Sequence, residues 1–220
     1  MTDFIQARKN MVDCQIHPSG IVDGWILESF QNIPRELFVP EKLQGIAYTD
    51  ENIDIGQGRF LMEPIVHAKL LQAVAPDKSD VVLDIGVGTG YSSAILCPNV
   101  STVVALENNK RQMDKATRLW EKLDICTIAL IESELNDGEV KHAPYNLIMI
   151  NGAVAEVPTI ILDQLELGGR LATVIKKPGQ SVGCATIFVK DLQGEVSSKP
   201  LFDAGIPYLQ GFEPQPAFQF

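Results

Sequence analysis

From Val81 onward, short β-branched runs alternate with stretches of helix length. "VVLDIG", "STVVALE", "CTIALIE", "YNLIMING", "GRLATVIKK" and "CATIFVKD" are separated by "GYSSAILC", "NKRQMDKATRLWEKL" and "VPTIILDQL". Apolar runs of strand length belong to strands buried on both faces, and helical connections let neighbouring strands run parallel. The spacing predicts a doubly wound α/β domain with a mostly parallel sheet. At 220 residues the chain suits one such domain and can bury about 70% of its unfolded surface.

The first 45 residues read differently. "DFIQARKNMVDCQI" and "DGWILESFQNI" carry apolar residues at helical spacing, the second opening at a cap, Asp23. Pro34 and Pro40 then break the pattern, which leaves an N-terminal helical layer. Residues 46–63 read as an irregular Gly-containing segment, after which Pro64, at home in a first helical turn because it lacks an N–H, opens "PIVHAKLLQAV".

The chemistry-bearing segment is "VVLDIGVGTGYSS". A buried strand ends at Asp84 and Ile85, and Gly86, Gly88 and Gly90 follow before a helix begins. Such glycines let the chain turn tightly and let a ligand approach where a Cβ would stand in the way. The helix start behind them adds N–H donors and a positive dipole end. A dinucleotide site has the spacing G-x-G-x-x-G, whereas here it is G-x-G-x-G with Asp84 two residues ahead. An acid there opposes a pyrophosphate and suits the cationic methionine end of S-adenosyl-L-methionine.

Glu107, 21 residues after Gly86, ends the second strand, where a carboxylate accepts hydrogen bonds from a ribose diol. NAD carries the same diol, so Glu107 alone does not choose between the two ligands. Glu132 and Ser133, with Ile131 and Glu134 beside them, stand at the next strand end, the height of adenine contacts. Asn151 and Gly152 end the fourth strand, in the crevice where reacting groups meet.

Composition removes several classes. With 18 basic against 28 acidic residues, a net of −10, the chain lacks the clustered Lys and Arg of a nucleic-acid partner. No apolar run approaches the roughly 20 residues of a membrane span, and polar residues interrupt the N-terminus where a signal peptide is apolar, so a cytoplasmic protein is expected. Cys14, Cys97, Cys126 and Cys184 show no C-x-x-C pair, and with three histidines there is no metal-ligand spacing. They read as reduced, buried small hydrophobes.

Taken together, "MVDCQI", "IPRELFVP", "AYTDENIDIGQG", "LDIGVGTGY", "APYNLIMINGA" and "LDQLELGGRL" resemble the protein-L-isoaspartate O-methyltransferases over nearly the whole chain. The resemblance implies a seven-stranded, Rossmann-like S-adenosylmethionine-dependent methyltransferase fold. It also implies methyl transfer to the carboxylate of isoaspartyl residues in damaged proteins. It fails in one place. After the two glycines the family reads approximately Gln-Thr-Ile-Ser before an x-Pro, its Ser near the methyl and the substrate carboxylate. Here the same places hold Arg59, Phe60, Leu61 and Met62, then Glu63 and Pro64.

An ionised carboxylate is already a nucleophile at neutral pH, so the lost hydroxyl reads as an orienting group and not as a base. Arg59 offers a substitute, since a guanidinium grips a carboxylate in a two-pronged fork; the plainer reading pairs it with nearby Glu63 or Asp54. Gly56, Gly58, Arg59 and Met62 are thus placed beside the methyl group. The expected layout is one domain: residues 1–63 supply N-terminal helices and the substrate loop, 64–195 the donor-binding core, and 196–220 a Phe- and Pro-rich tail that packs on something or joins a dimer. The acceptor is an isoaspartyl-containing protein or peptide, or alternatively a small carboxylate or hydroxylated molecule. A donor-binding protein with little turnover is the third reading.

Overall fold

The computed structural model describes residues 3–214. Helix α1 (Phe4–Met11) is capped by Asp3, whose carboxylate accepts from the Gln6 amide at 3.1 Å, and its helical path is continued by Val12–Ile16. After α2 (Gly24–Asn32), two short 3₁₀ turns follow Pro34 and Pro40, whose Cδ atoms crowd the residue before each and disfavour helix there. These elements form the expected N-terminal layer.

Residues 46–63 depart from the expected irregular segment. Within them β1 (Ile53–Gly56) and β2 (Arg59–Leu61) pair antiparallel as a separate two-stranded sheet, turning through Gly56, Gln57 and Gly58, all at positive φ. The strands are too short for alternation to announce them. Helix α3 (Pro64–Val74) begins on Pro64 and ends at Ala75 in the left-handed conformation.

The α/β core then runs β3 (Val81–Ile85), α4 (Tyr91–Leu96), β4 (Thr102–Glu107), α5 (Lys110–Lys122), β5 (Ile128–Glu132), β6 (Tyr145–Val154), α6 (Thr159–Asp163), β7 (Leu165–Ile175), β8 (Gly183–Lys190) and β9 (Val196–Ala204). The seven-stranded sheet has the order β5-β4-β3-β6-β7-β8-β9; its first five strands are parallel and β8 and β9 pair antiparallel to their neighbours. Alternate residues feed two cores. Leu83, Ile85, Val104, Leu106, Ile148 and Ile150 pack on one face, and Val82, Val103, Ala105, Leu147, Met149 and Ala172 on the other. This is why both residue sets of each strand read as apolar.

Residues 196–204, placed in the tail by their lack of period, are instead the edge strand β9. They alternate poorly because an edge strand has little to bury, with only Ala204 fully covered. Beyond it, Leu209 and Phe212 pack into the second core. Phe218 and Phe220, the other tail phenylalanines beyond Phe202 and Phe212, lie outside the described residues. The cysteines also differ from expectation: all four are free, but Cys14 and Cys126 are exposed and Cys97 and Cys184 only partly covered. No helix among the described residues is long and apolar enough to cross a membrane.

Candidate active site

Strand order reverses at β3, with β4 on one side and β6 on the other, so the carboxyl ends of these strands open a crevice at the topological switch point. Register aligns them: Ile85 stands opposite Leu106 and Ile150, and Glu107 opposite Glu132. The crevice therefore gathers the glycine turn, Glu107 and Asn151, with Asp84 beneath them.

Asp84 faces inward. It is fully buried, its Oδ2 accepting from the Ser92 and Ser93 hydroxyls at 2.6 Å each and its Oδ1 from Asn151 Nδ2 at 2.6 Å. Burial pushes its carboxyl pKa up, against these three hydrogen bonds, which hold it down. A direct contact with a ligand ammonium is not what this arrangement offers. Asp84 ties the first turn of α4 to β6 and aims Asn151, itself partly exposed, at the crevice.

The glycines have separate reasons. All three have positive φ. A Cβ on Gly90 would lie 2.5 Å from Trp120 Cζ2, so this glycine admits the indole, whose Nε1 donates to the Gly90 carbonyl at 2.9 Å. Gly86 and Gly88 face the crevice, where a Cβ would meet Leu209 Cδ1 and Ile55 Cδ1 respectively, each at 2.7 Å.

Glu107 is fully buried and densely bonded. Its Oε2 accepts from the Gly88 amide at 2.9 Å, and its Oε1 from the Asn108 and Asn109 amides at 3.0 Å each. Arg59 completes the set: Nη2 lies 2.7 Å from Oε1 and Nε 3.0 Å from Oε2. Arg59 Nη2 also donates to Asn108 Oδ1 at 2.7 Å. Neither Glu63 nor Asp54, the neighbours in sequence, is its partner; Asp54 instead accepts from the Gly56 amide at 2.7 Å within its own turn. Nor does the guanidinium lie free beside the methyl position, since Arg59 is only 1% exposed.

Glu132 and Ser133 stand at the end of β5, with Glu132 half-exposed and 3.6 Å from Lys110 Nζ. The Ser133 amide donates to the Glu107 carbonyl at 3.4 Å, which keeps this rim beside β4. Gly56 and Gly58 form the hairpin turn, Gly58 exposed to solvent.

Met62 is buried, and its carbonyl accepts from Arg35 Nη2 at 2.7 Å. It borders a cavity of about 10 Å³ shared with Phe60, His67, Gly86, Tyr91 and Asn151. His67 packs edge-on against Phe30 and Tyr91, its Nε2 without a partner among the described residues. Burial, and then the Arg35 charge, lower its pKa to about 3, so the imidazole is neutral. Leu209, Gln210, Asn108, His67 and Tyr91 border the site without having been singled out from sequence. Leu209 lies in a stretch with no period, and the only signal for it was the density of apolar residues in the tail.

Asn151 and Gly152 do not end their strand, since β6 continues to Val154; Asn151 stands where pairing with β3 stops, at Ile150. The residues fit S-adenosyl-L-methionine in kind: two crevice-facing glycines, a ribose-height carboxylate and the Asn151 amide. The room in front of them is taken by Arg59, Ile55 and Leu209.

A family model for protein-L-isoaspartate(D-aspartate) O-methyltransferase matches residues 6–204. A protein-L-isoaspartate O-methyltransferase of Desulfosudis oleivorans is 35% identical over 172 residues, covering 78% of each chain. One from Marinobacter nauticus is 34% identical over 189 residues, 84% of this chain and 85% of its own. A solved protein-L-isoaspartate O-methyltransferase superposes with a TM-score of 0.80 at 26% identity, over 93% of this chain and 66% of that one. A Plasmodium falciparum chain solved with S-adenosyl-L-homocysteine gives a TM-score of 0.75 at 18% identity, over 96% and 99%, a likeness of fold alone.

Proposed function

Because the chain belongs to the protein-L-isoaspartate(D-aspartate) O-methyltransferase family, we propose that it transfers a methyl group from S-adenosyl-L-methionine to the carboxylate of L-isoaspartyl residues in proteins or peptides. The observation that carries this reading is the crevice at the switch point, where Gly86 and Gly88 after β3, Glu107 at the end of β4, and Asn151, just past the last β6 residue that pairs with β3, converge.

In this reading Glu107 holds the ribose, Glu132 and Ser133 border the adenine, and Asn151 meets the methionine end. Asp84 acts through Asn151 and the turn. Gly86 and Gly88 give the ligand its approach. Bound, the donor supplies an electrophilic methyl on a cationic sulfur. Gly56, Gly58, Arg59 and Met62 border the methyl side, where Met62 and Phe60 exclude water and so favour attack by the acceptor carboxylate over hydrolysis.

A carboxylate acceptor is favoured over a hydroxyl by the site's own acid–base chemistry. A hydroxyl needs a base to take its proton, and the imidazole bordering this space, His67, has a pKa near 3 and is too weak for that task. An ionised carboxylate needs none. With Phe60 and Met62 in place of the family's hydroxyls and the Arg59 guanidinium engaged by Glu107, orientation of the acceptor rests on shape. The loss of one orienting hydrogen bond costs about 0.5–1.5 kcal/mol, a reduction of rate and not its abolition. A cytoplasmic location belongs to the same reading, supported by four free thiols.

The test is labelled methyl transfer to an isoaspartyl peptide, with the matching aspartyl peptide as control. Transfer to the first alone supports the proposal. Absence of transfer by the native chain with gain in Met62→Ser would overturn it for this chain and leave another carboxylate as the acceptor.

A further inference from the structure

The carboxylate that the donor needs is already fully engaged. A carboxylate offers about four lone-pair positions. Glu107 uses them on three backbone amides and on the Arg59 guanidinium, so a ribose diol has no free position to take. Beside it, Leu209 covers Gly86, and Ile55 with the Arg59 stem covers Gly88. What remains of the inner crevice is a cavity of about 10 Å³, room for one water, whereas a site for a nucleoside-sized ligand is on the order of 300 Å³ or more.

Arg59 and Ile55 come from one hairpin, whose Ile53, Ile55 and Leu61 side chains pack into the first core. The β1–β2 hairpin forms its own two-stranded sheet, and a lone hairpin has little independent stability. Beyond that burial, a small set of polar contacts ties it to α5 and to the end of β4. Gln112 Nε2, from α5, donates to the Ile55 and Gly56 carbonyls at 3.1 and 2.8 Å, and Arg59 reaches Glu107, Asn108 and, at 3.4 Å, Gln210. Its turn, Gly56-Gln57-Gly58, runs through positive φ at all three residues, with Gln57 and Gly58 exposed.

Resting on the donor-site reading above, we propose that Arg59 is a latch. It closes the crevice by occupying Glu107, and S-adenosyl ligands enter by displacing its guanidinium as the hairpin lifts from the end of β4. The displaced pair has the geometry of a strong, two-pronged contact in a water-poor setting, so the ligand's net affinity is what remains after that contact is lost. A neutral residue at position 59 removes the competition and leaves Glu107 its three amides. Loss of the Gln112 bonds loosens the same element without touching the carboxylate.

The experiment is calorimetric titration of S-adenosyl-L-homocysteine into the native chain, Arg59→Gln and Gln112→Ala, with circular dichroism and melting to confirm that each is folded. Hydrogen exchange of residues 53–61 accompanies the native titration. Expected are at least about tenfold tighter binding by Arg59→Gln, a smaller gain in Gln112→Ala, and faster exchange across the hairpin when the native chain is saturated. Equal affinity in the native chain and Arg59→Gln would overturn the latch while leaving the methyltransferase reading intact. Binding by none of the three folded proteins would overturn both, because the crevice would then be permanently closed.

Discussion

Arg59 Nη2 lies 2.7 Å from Glu107 Oε1, an ion pair between residues 48 positions apart, one 1% exposed and the other fully covered. It joins the hairpin to the end of β4 and determines how Glu107 variants behave. Removing one partner of a buried pair strands the other charge, at a cost of about 3–5 kcal/mol, whereas apolar replacement of both is often neutral. Glu107→Leu should therefore lose several kcal/mol in urea unfolding, and adding Arg59→Met should recover only the share due to the stranded guanidinium, because the Gly88, Asn108 and Asn109 amides lack their acceptor in both variants. Additive losses in the double variant would show that the pair is not coupled.

Two glycines of similar backbone conformation differ in what surrounds them. Gly20 and Gly90 have φ of +97° and +87°, but an added Cβ meets nothing within 4 Å at Gly20 and the Trp120 ring at 2.5 Å at Gly90. Gly20→Ala should cost about 1–2 kcal/mol from backbone strain alone. Gly90→Ala adds overpacking of about 1–3 kcal/mol and should come out clearly less stable. Thermal melts of the two variants, side by side, check the ranking.

Asp84 holds Asn151 and the first turn of α4, and its removal should show in stability. Asp84→Ala leaves the Ser92 and Ser93 hydroxyls and the Asn151 amide without their acceptor, which should lower stability by about 2–4 kcal/mol. Asn151→Ala takes one donor from Asp84 and leaves both serine hydroxyls in place, so it should cost less stability than Asp84→Ala, about 1.5–2 kcal/mol, and weaken S-adenosyl-L-homocysteine binding as well. Equal losses of stability in both variants would contradict this division of roles.

The sheet and the crevice rim were legible because buried parallel strands announce themselves as unbroken apolar runs and Gly86, Gly88 and Gly90 mark the turn directly. Pro64 likewise marks the start of α3. Contacts across the crevice were not. Asp54 and Glu63 lie within five residues of Arg59, yet its partner is Glu107, brought there by strand order and register, which no local spacing encodes. Leu209 covers Gly86 from a stretch with no period at all. The inward turn of Asp84 has a faint signal, two serines eight and nine residues on, legible only once α4 is known to start at Tyr91.

His67 ties stability to pH. Its pKa is lowered from 6.5 to about 3 by burial first and the Arg35 charge second. The unfolded chain therefore binds a proton at His67 over this interval and the folded chain does not, so stability rises with pH there. The contribution is fully present above about pH 6.5 and is lost as pH falls toward 3. Between pH 7.5 and pH 5.0 the native chain should lose about 2 kcal/mol on this account, at 1.36 kcal/mol per pH unit below 6.5. His67→Leu, close in volume and without the unpartnered Nε2, should lose correspondingly less over the same interval. Urea unfolding of both chains at the two pH values decides it: parallel declines would mean that His67 is not the group responsible.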